Sequence, residues 1–252
     1  MKIITLAAEK GGVGKTTLAL HIIHALCAAG QKVCVIDTCP QGNLSTALGV
    51  SLGAAEENSS FHFFSGSFPQ PMLTESGAYL NPASRALEKV EAMDPATAIT
   101  SFRKSVRDTV SREGFDYCVI DTPPSIGVRL RSALGAATNV VSPMECATFS
   151  LEGLEILLDT INEVKSVYNN ELRHDAIIAN KYRGTQAHAA VHAAMKQAIP
   201  ATLDMPLGLF SAIEATAQTR QPVWASRSTG AERKAADNMQ SVILEVIGKV
   251  QK

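Results

Sequence analysis

The segment Lys10-Gly11-Gly12-Val13-Gly14-Lys15-Thr16-Thr17 constrains this chain more than any other, because of what flanks it. The apolar run Ile3-Ile4-Thr5-Leu6-Ala7-Ala8 precedes it, and the helical stretch Leu18–Ala29 follows. Strand, glycine loop and helix in that order is the setting in which such a loop cradles phosphate. The glycines let successive backbone N–H groups curl around phosphate oxygens, and the new helix adds its positive end. Gly11, Gly12, Val13, Gly14, Lys15, Thr16 and Thr17 are therefore the candidate nucleotide-binding residues. Lys15 is placed to reach the β- and γ-phosphates, and the Thr16 hydroxyl to ligate Mg²⁺.

The same alternation repeats downstream. Lys32-Val33-Cys34-Val35-Ile36 ends at Asp37, and Tyr117-Cys118-Val119-Ile120 ends at Asp121. Asn139-Val140-Val141 ends near Pro143, and Ala176-Ile177-Ile178 ends at Asn180. Short continuous apolar runs of this kind fit strands buried on both faces of a parallel sheet. Amphipathic helices lie between them, the clearest with Leu151, Leu154, Leu158, Ile161 and Val164 on one face, and Gly30 reads as a helix C-cap. The expected fold is α/β: a doubly wound, mostly parallel sheet flanked by helices, with ligands at the carboxyl ends of the strands. Asp37, Asp121 and Asn180 all fall there. Residues 49–80 break the rhythm, mixing Gly, Ser and Pro with Phe61, Phe63, Phe64 and Phe68. They read as an ordered surface excursion, its aromatics tucked under a loop or turned to a partner.

Length and charge bound the rest. A chain of 252 residues accommodates one large α/β domain, expected over 1–252, and the early first strand leaves no room for an N-terminal helix-turn-helix. A formal charge of −1 recommends neither nucleic acid nor membrane, so any polyanion contact must be local. Five cysteines, odd in number and without a CxxC pair, read as reduced thiols of a cytosolic protein. No run approaches the roughly 18 apolar residues needed to cross a bilayer.

The octamer with its early lysine, KGGxGKT in form, resembles the ParA/MinD family of deviant phosphate-loop ATPases. The resemblance implies that Lys10 crosses to the nucleotide of a second copy in an ATP-sandwiched homodimer. Asp121, within DTPPS (121–125), corresponds to the carboxylate that helps hold Mg²⁺, and that ending resembles the ParA branch in particular. Asn180 matches an asparagine that hydrogen-bonds adenine, and Pro206 and Leu207 match the segment packed on the base. Pro143-Met144-Glu145-Cys146 with Ser150-Leu151-Glu152-Gly153-Leu154 is similar to a stretch associated with the dimer face. Ser211–Ala215 and Arg227–Glu232 resemble two further family segments.

One departure stands out. The family pattern DxDPQGN appears here as Asp37-Thr38-Cys39-Pro40-Gln41-Gly42-Asn43. The aspartate that helps orient or activate the attacking water is replaced by Cys39, and a thiol is a poor acceptor. Three readings are open. Hydrolysis is slowed and the ATP state prolonged; Asp37, on the same strand end and a candidate for metal and catalysis, does part of the work; or backbone and Lys10 hold the water.

Residues 216–234 carry Arg220, Arg227, Arg233 and Lys234 against Glu232 alone, a local excess of about +3. With Arg183 they are candidates for DNA contact without sequence preference, the alternative being a solvated basic face. The C-terminal stripe Ala236, Met239, Ile243, Val246 and Val250 reads as core-docking, although a MinD-like membrane helix has a similar pattern. His188 and His192 lie one helical turn apart with no carboxylate or cysteine in their motif, and read as a surface or core pair. His21 and His24 flank the first helix's apolar face.

Together these features imply a ParA-type partition ATPase that uses Mg²⁺ and ATP. It would be cytoplasmic and nucleoid-associated, released from DNA when a ParB-like or other cargo adaptor stimulates weak hydrolysis, with no stable membrane anchor. Two alternatives are a MinD-like membrane-cycling ATPase and a hydrolysis-deficient ATP-binding scaffold.

Overall fold

Strand polarity organises the molecule. The computed structural model describes residues 1–148 and 151–252 and contains a seven-stranded sheet in the order β3-β4-β2-β5-β1-β6-β7. These are β1 (Lys2–Leu6), β2 (Val33–Asp37), β3 (Met72–Leu73), β4 (Tyr79–Asn81), β5 (Tyr117–Asp121), β6 (Asn139–Glu145) and β7 (Arg173–Asn180). All neighbours are parallel except the β3–β4 edge. The doubly wound parallel sheet expected from the alternation is therefore present.

The excursion at 49–80 does more than cover a face: it contributes β3 and β4, which extend the sheet beyond β2. Strands of three residues or fewer leave no periodic signal to read. Phe63 and Phe64 are buried and meet the ring of Phe102, whereas Phe68 is exposed with Arg112 over its face.

The ten helices of the described residues are α1 (Lys15–Ala28), α2 (Asn43–Ala47), α3 (Phe61–Phe64), α4 (Pro95–Arg112), α5 (Val128–Ala136), α6 (Leu151–Val167), α7 (Gln186–Ala198), α8 (Ser211–Glu214), α9 (Thr216–Thr219) and α10 (Gly230–Gln251). The period-2 geometry of the strands divides the core in two. Ile4, Leu6, Val33, Val35 and Val119 face α1 and α10, while Ile3, Cys34, Ile36, Cys118 and Ile120 face α4, α5 and α6. Helix α1 begins at Lys15, three residues before the apolar pattern, because the loop glycines run straight into its first turn. It ends at Gly30, φ +75°, where Gly30 N–H bonds Cys27 O and Gln31 N–H bonds Leu26 O. That is the paired closure a left-handed C′ glycine allows.

Helix α10 docks as its stripe predicts: Met239, Ile243, Val246 and Val250 are buried in the core on the α1 face, and Ala236 is buried as well. Its entry is a capping box. Thr229 Oγ1 accepts from Glu232 N–H, and the Glu232 carboxylate accepts from Ser228 and Thr229 N–H. Leu154, Ile161 and Val164 of α6 are likewise buried. Ser150, with the side chains of Leu151 and Glu152, lies outside the described residues. No described helix is long and apolar enough to cross a membrane.

Candidate functional site

Three adjacent strands, β2, β5 and β1, bring their carboxyl ends level. Asp121 pairs in register with Asp37 on one side and Leu6 on the other, and the phosphate loop leaves β1 just beyond. Gly12 (φ +72°) and Gly14 (φ +100°) take backbone conformations that side chains resist, so the loop curls tightly enough to start α1 at Lys15. At Gly14 space forbids a side chain as well, since a Cβ would lie 2.5 Å from Asn180 Nδ2.

Lys15 is buried, its ammonium donating to Ala8 O and Lys10 O at 3.2 Å each. Burial lowers its pKa, and nearby Asp121 opposes that shift. Lys10 is exposed at the loop's start. Thr16 Oγ1 donates to Asp121 Oδ2 at 2.7 Å, whereas Asp121 Oδ1 is buried with no hydrogen-bond partner. Burial first, and then the Asp37 carboxylate, push the Asp121 pKa up to about 7. A buried carboxylate oxygen without a donor is costly, and a cation there would satisfy it. The residues thus fit Mg²⁺, with the Thr16 hydroxyl and Asp121 as its holders.

Asp37 is wholly buried and differently occupied. Its Oδ1 accepts from Cys39 N–H at 3.0 Å, and its Oδ2 from Ser45 N–H at 2.9 Å and Ser45 Oγ at 2.7 Å. Burial raises its pKa against those three bonds. Ser45 Oγ in turn accepts from Ala83 N–H, so Asp37 ties the loop of residues 38–42 to the segment just after β4. Cys39 is 6% exposed and, with Gln41, Asn43, Thr46 and Thr122, lines a cleft of about 640 Å³ that also contains the phosphate loop from Gly11 to Thr17. Burial pushes its thiol pKa up, so it stands in the cleft as a neutral group.

A second cleft of about 250 Å³ adjoins the loop on the β7 side, bordered by Gly12, Gly14, Thr17, Asn180, Leu207 and Phe210 among others. Asn180 is clamped there. Its Nδ2 donates to Val13 O at 2.7 Å and its Oδ1 accepts from Lys181 N–H at 2.7 Å. An adenine at this asparagine must therefore compete with the loop's own carbonyl. Leu207 is buried, and its N–H and carbonyl bond to Ala179 O and Tyr182 N–H. Pro206 O accepts from Asn238 Nδ2, which ties the segment to α10.

The basic residues are less united. Arg227 is ion-paired to Asp237 at 2.7 Å and also bonds Gln240 Oε1. Arg233 donates to Arg227 O, and Lys234 is exposed nearby in sequence. Asp237 lies just beyond the window in which the charge excess was counted. Arg220, in left-handed backbone (φ +56°), borders a separate groove with His24 and Glu75. Arg183 N–H donates to His188 Nδ1, while the His192 ring bonds Leu203 O.

Sequence reasoning missed Ser45 and Thr216 as parts of the site, since a lone hydroxyl residue outside a motif carries no signal, and passed over Thr122, which lies within the DTPPS ending and lines the cleft. It also left His21 without a task. His21 is fully buried: Nδ1 meets Thr17 O at 2.7 Å, Nε2 accepts from Val223 N–H at 3.0 Å, and Trp224 packs edge-on at 5.2 Å. It couples the helix of the phosphate loop to the segment that leads into Arg227.

A strand–glycine loop–helix with a lysine and a threonine, facing a buried strand-end carboxylate with an unsatisfied oxygen, defines a phosphate-loop nucleotide-binding protein. Residues 1–174 match the AAA_31 family, described as an AAA domain. The chain belongs to that family and is a ParA-type partition ATPase by its relatives. It is 36% identical over 182 residues to the chromosome-partitioning ATPase Soj of Thermus thermophilus, covering 72% of this chain and 70% of Soj. Protein IncC of Escherichia coli is 31% identical over 267 aligned positions, covering 100% of this chain and 70% of IncC. Among solved structures, cobyrinic acid a,c-diamide synthase from Mycobacterium smegmatis, with bound ATP analog and magnesium, superposes with a TM-score of 0.81 at 25% identity. That match covers 98% of this chain and 94% of the synthase.

Proposed function

We propose that this chain is a positioning ATPase that binds Mg-ATP and pairs with a second copy across two sandwiched nucleotides. The dimer then coats duplex DNA without sequence preference. A ParB-like or other cargo adaptor stimulates slow hydrolysis and releases the protein, so that plasmid or chromosome cargo is moved. ATP acts by its greater affinity for the paired state, and only that difference shifts the population.

The observation that carries this reading is the Thr16–Asp121 bond with Asp121 Oδ1 left unsatisfied at the mouth of the phosphate loop. The Thr16 hydroxyl and Asp121 would hold Mg²⁺ there, and the ion would supply neutralisation of the phosphate charge. The chain's own groups do the rest. The loop N–H groups and Lys15 hold the phosphates, and Lys10 reaches toward the partner copy's nucleotide. Asp37 holds the loop of residues 38–42 from behind. Asn180, Pro206 and Leu207 flank the base, and Arg227, Arg233 and Lys234, with Arg183 and Arg220, supply phosphate contacts to DNA.

Cys39 supports a second reading, a hydrolysis-deficient ATP-binding scaffold. It lines the cleft as a neutral thiol, and Asp37 behind it has both oxygens engaged. Multiple-turnover phosphate release with the adaptor present separates a slow enzyme from a silent scaffold.

The decisive experiment is retention on non-specific duplex DNA in Mg-ATP against Mg-ADP across salt concentrations. Retention only in ATP, weakening as salt rises, is expected from phosphate contacts that release counterions. Equal retention in both nucleotides, or none, removes DNA from the cycle.

A further inference from the structure

On the outer face of α4 and the end of α6, Thr100, Arg103, Lys104, Arg107, Asp108 and Tyr168 line a groove of about 410 Å³, together with Val167. It lies at the far end of the molecule from the phosphate loop. Arg107 donates to Ala136 O and Ala137 O, which immediately precede β6, and Asn139 at the start of β6 pairs with Ile4 of β1. Parallel strands therefore put this groove near their amino ends and the nucleotide cleft at their carboxyl ends.

The three cations are in different states. Arg107 is saturated: besides those two carbonyls it bonds Asn169 Oδ1 and Glu171 Oε2 at 3.1 Å each. Arg103 sits one turn earlier on the same face, where like charges repel. Its Nε is buried without any hydrogen-bond partner; burial and then Arg107 lower its pKa, and the Glu171 carboxylate opposes that shift. Lys104 is exposed beside it. Two acids face the group. Glu171 is committed to Arg107, and Asp108 stands exposed at the rim. A guanidinium held against a second arginine, with its Nε unmet and its nearby carboxylate Glu171 bonded to that arginine, has donor capacity to spare.

We propose that this groove is an oxyanion site, separate from the nucleotide cleft, that takes a phosphate group. The Arg103 fork binds two phosphate oxygens and Lys104 adds a point charge, with Tyr168 forming part of the wall. The phosphate belongs either to a free phosphorylated anion or to the backbone of duplex DNA. The assignment does not rest on the nucleotide site, since it uses none of its residues; only its duplex-DNA form touches the partition reading.

The test titrates inorganic pyrophosphate into the full chain by calorimetry, with saturating Mg-ADP so that the phosphate loop is filled. The variants are Arg103→Met, Lys104→Ala and Arg107→Met. Saturable binding is expected, weakened about tenfold or more by Arg103→Met and less by Lys104→Ala. Because Arg103 Nε has no hydrogen-bond partner and Glu171 is bonded to Arg107, Arg103→Met is expected to melt no lower than the parent. Arg107→Met, by contrast, loses structural bonds and serves as the control for unfolding. No saturable binding, or binding that Arg103→Met leaves unchanged, overturns the proposal. Retention of the same variant on duplex DNA separates the sources: a parallel loss assigns a phosphodiester, and unchanged retention assigns a free anion.

Discussion

The phosphate-loop end of the sheet and the basic segment 216–234 were both conspicuous in the sequence, yet they behave differently in three dimensions. At the loop, every motif residue falls into one interlocked site. Backbone carbonyls hold Lys15, Asp121 holds Thr16, and Asn180 clamps Val13. In the basic segment the charges disperse. Arg227 is taken by Asp237 and Gln240, Arg220 borders another groove, and the residue that organises the segment is Glu232, as a helix cap. A site built from backbone survives the step from sequence to structure, because consecutive residues cannot separate. A cluster inferred from summed side-chain charge is spread out by that step, because a residue outside the counted window, Asp237, supplies a counter-charge to Arg227.

If that contrast is right, substitutions at the loop should have large effects and those in the basic segment small, graded ones. Lys15→Ala should weaken Mg-ATP binding by about 100-fold or more, read by equilibrium binding of labelled nucleotide. A loss of only a few fold would mean that the loop is not built around this ammonium.

His21 joins the two regions and sharpens the comparison through pH. Burial holds its pKa down at about 4, against 6.5 in the ordinary case, so the folded state keeps the ring neutral while the unfolded chain takes up a proton. The stability this confers is whole above about 6.5 and drains away as pH falls toward about 4, on the order of 3 kcal/mol in all. His174, also held down to about 4 but partly exposed, adds less with the same sign. Parent and His21→Gln unfolded in urea across that interval should converge in stability as the pH drops. A constant difference between them would refute the assignment.

Cys39→Asp restores a carboxylate to the cleft and should raise single-turnover hydrolysis roughly tenfold or more. An unchanged rate would show that position 39 is not limiting. The smallest effect is expected at Arg227→Ala, which should flatten the salt dependence of DNA retention by about one counterion per copy. A complete loss of retention from that one change would break the contrast, since it would make the dispersed segment as interdependent as the loop.

Much of this protein was legible before any coordinates. The apolar runs ending at Asp37, Asp121 and Asn180 correspond to β2, β5 and β7, and the C-terminal stripe docks as its spacing implied. What escaped was short or non-local. β3 and β4 have too few residues for a period to show, and Ser45 joins the site only because Asp37 folds back onto it.

The phosphate loop, the α/β alternation and the strand-end positions of the acidic residues can all be read from the residues alone. Each of these depends on local backbone chemistry and on the repeat of buried side chains. It took the folded structure to show that Asp37 faces Ser45 and not the cleft, that Asn180 is latched to the loop at Val13, that Asp237 pairs with Arg227, and that Arg103 Nε is left without a partner. Those outcomes turn on which side chains meet across the sheet and between helices, and a linear chain does not carry such distances in any local pattern.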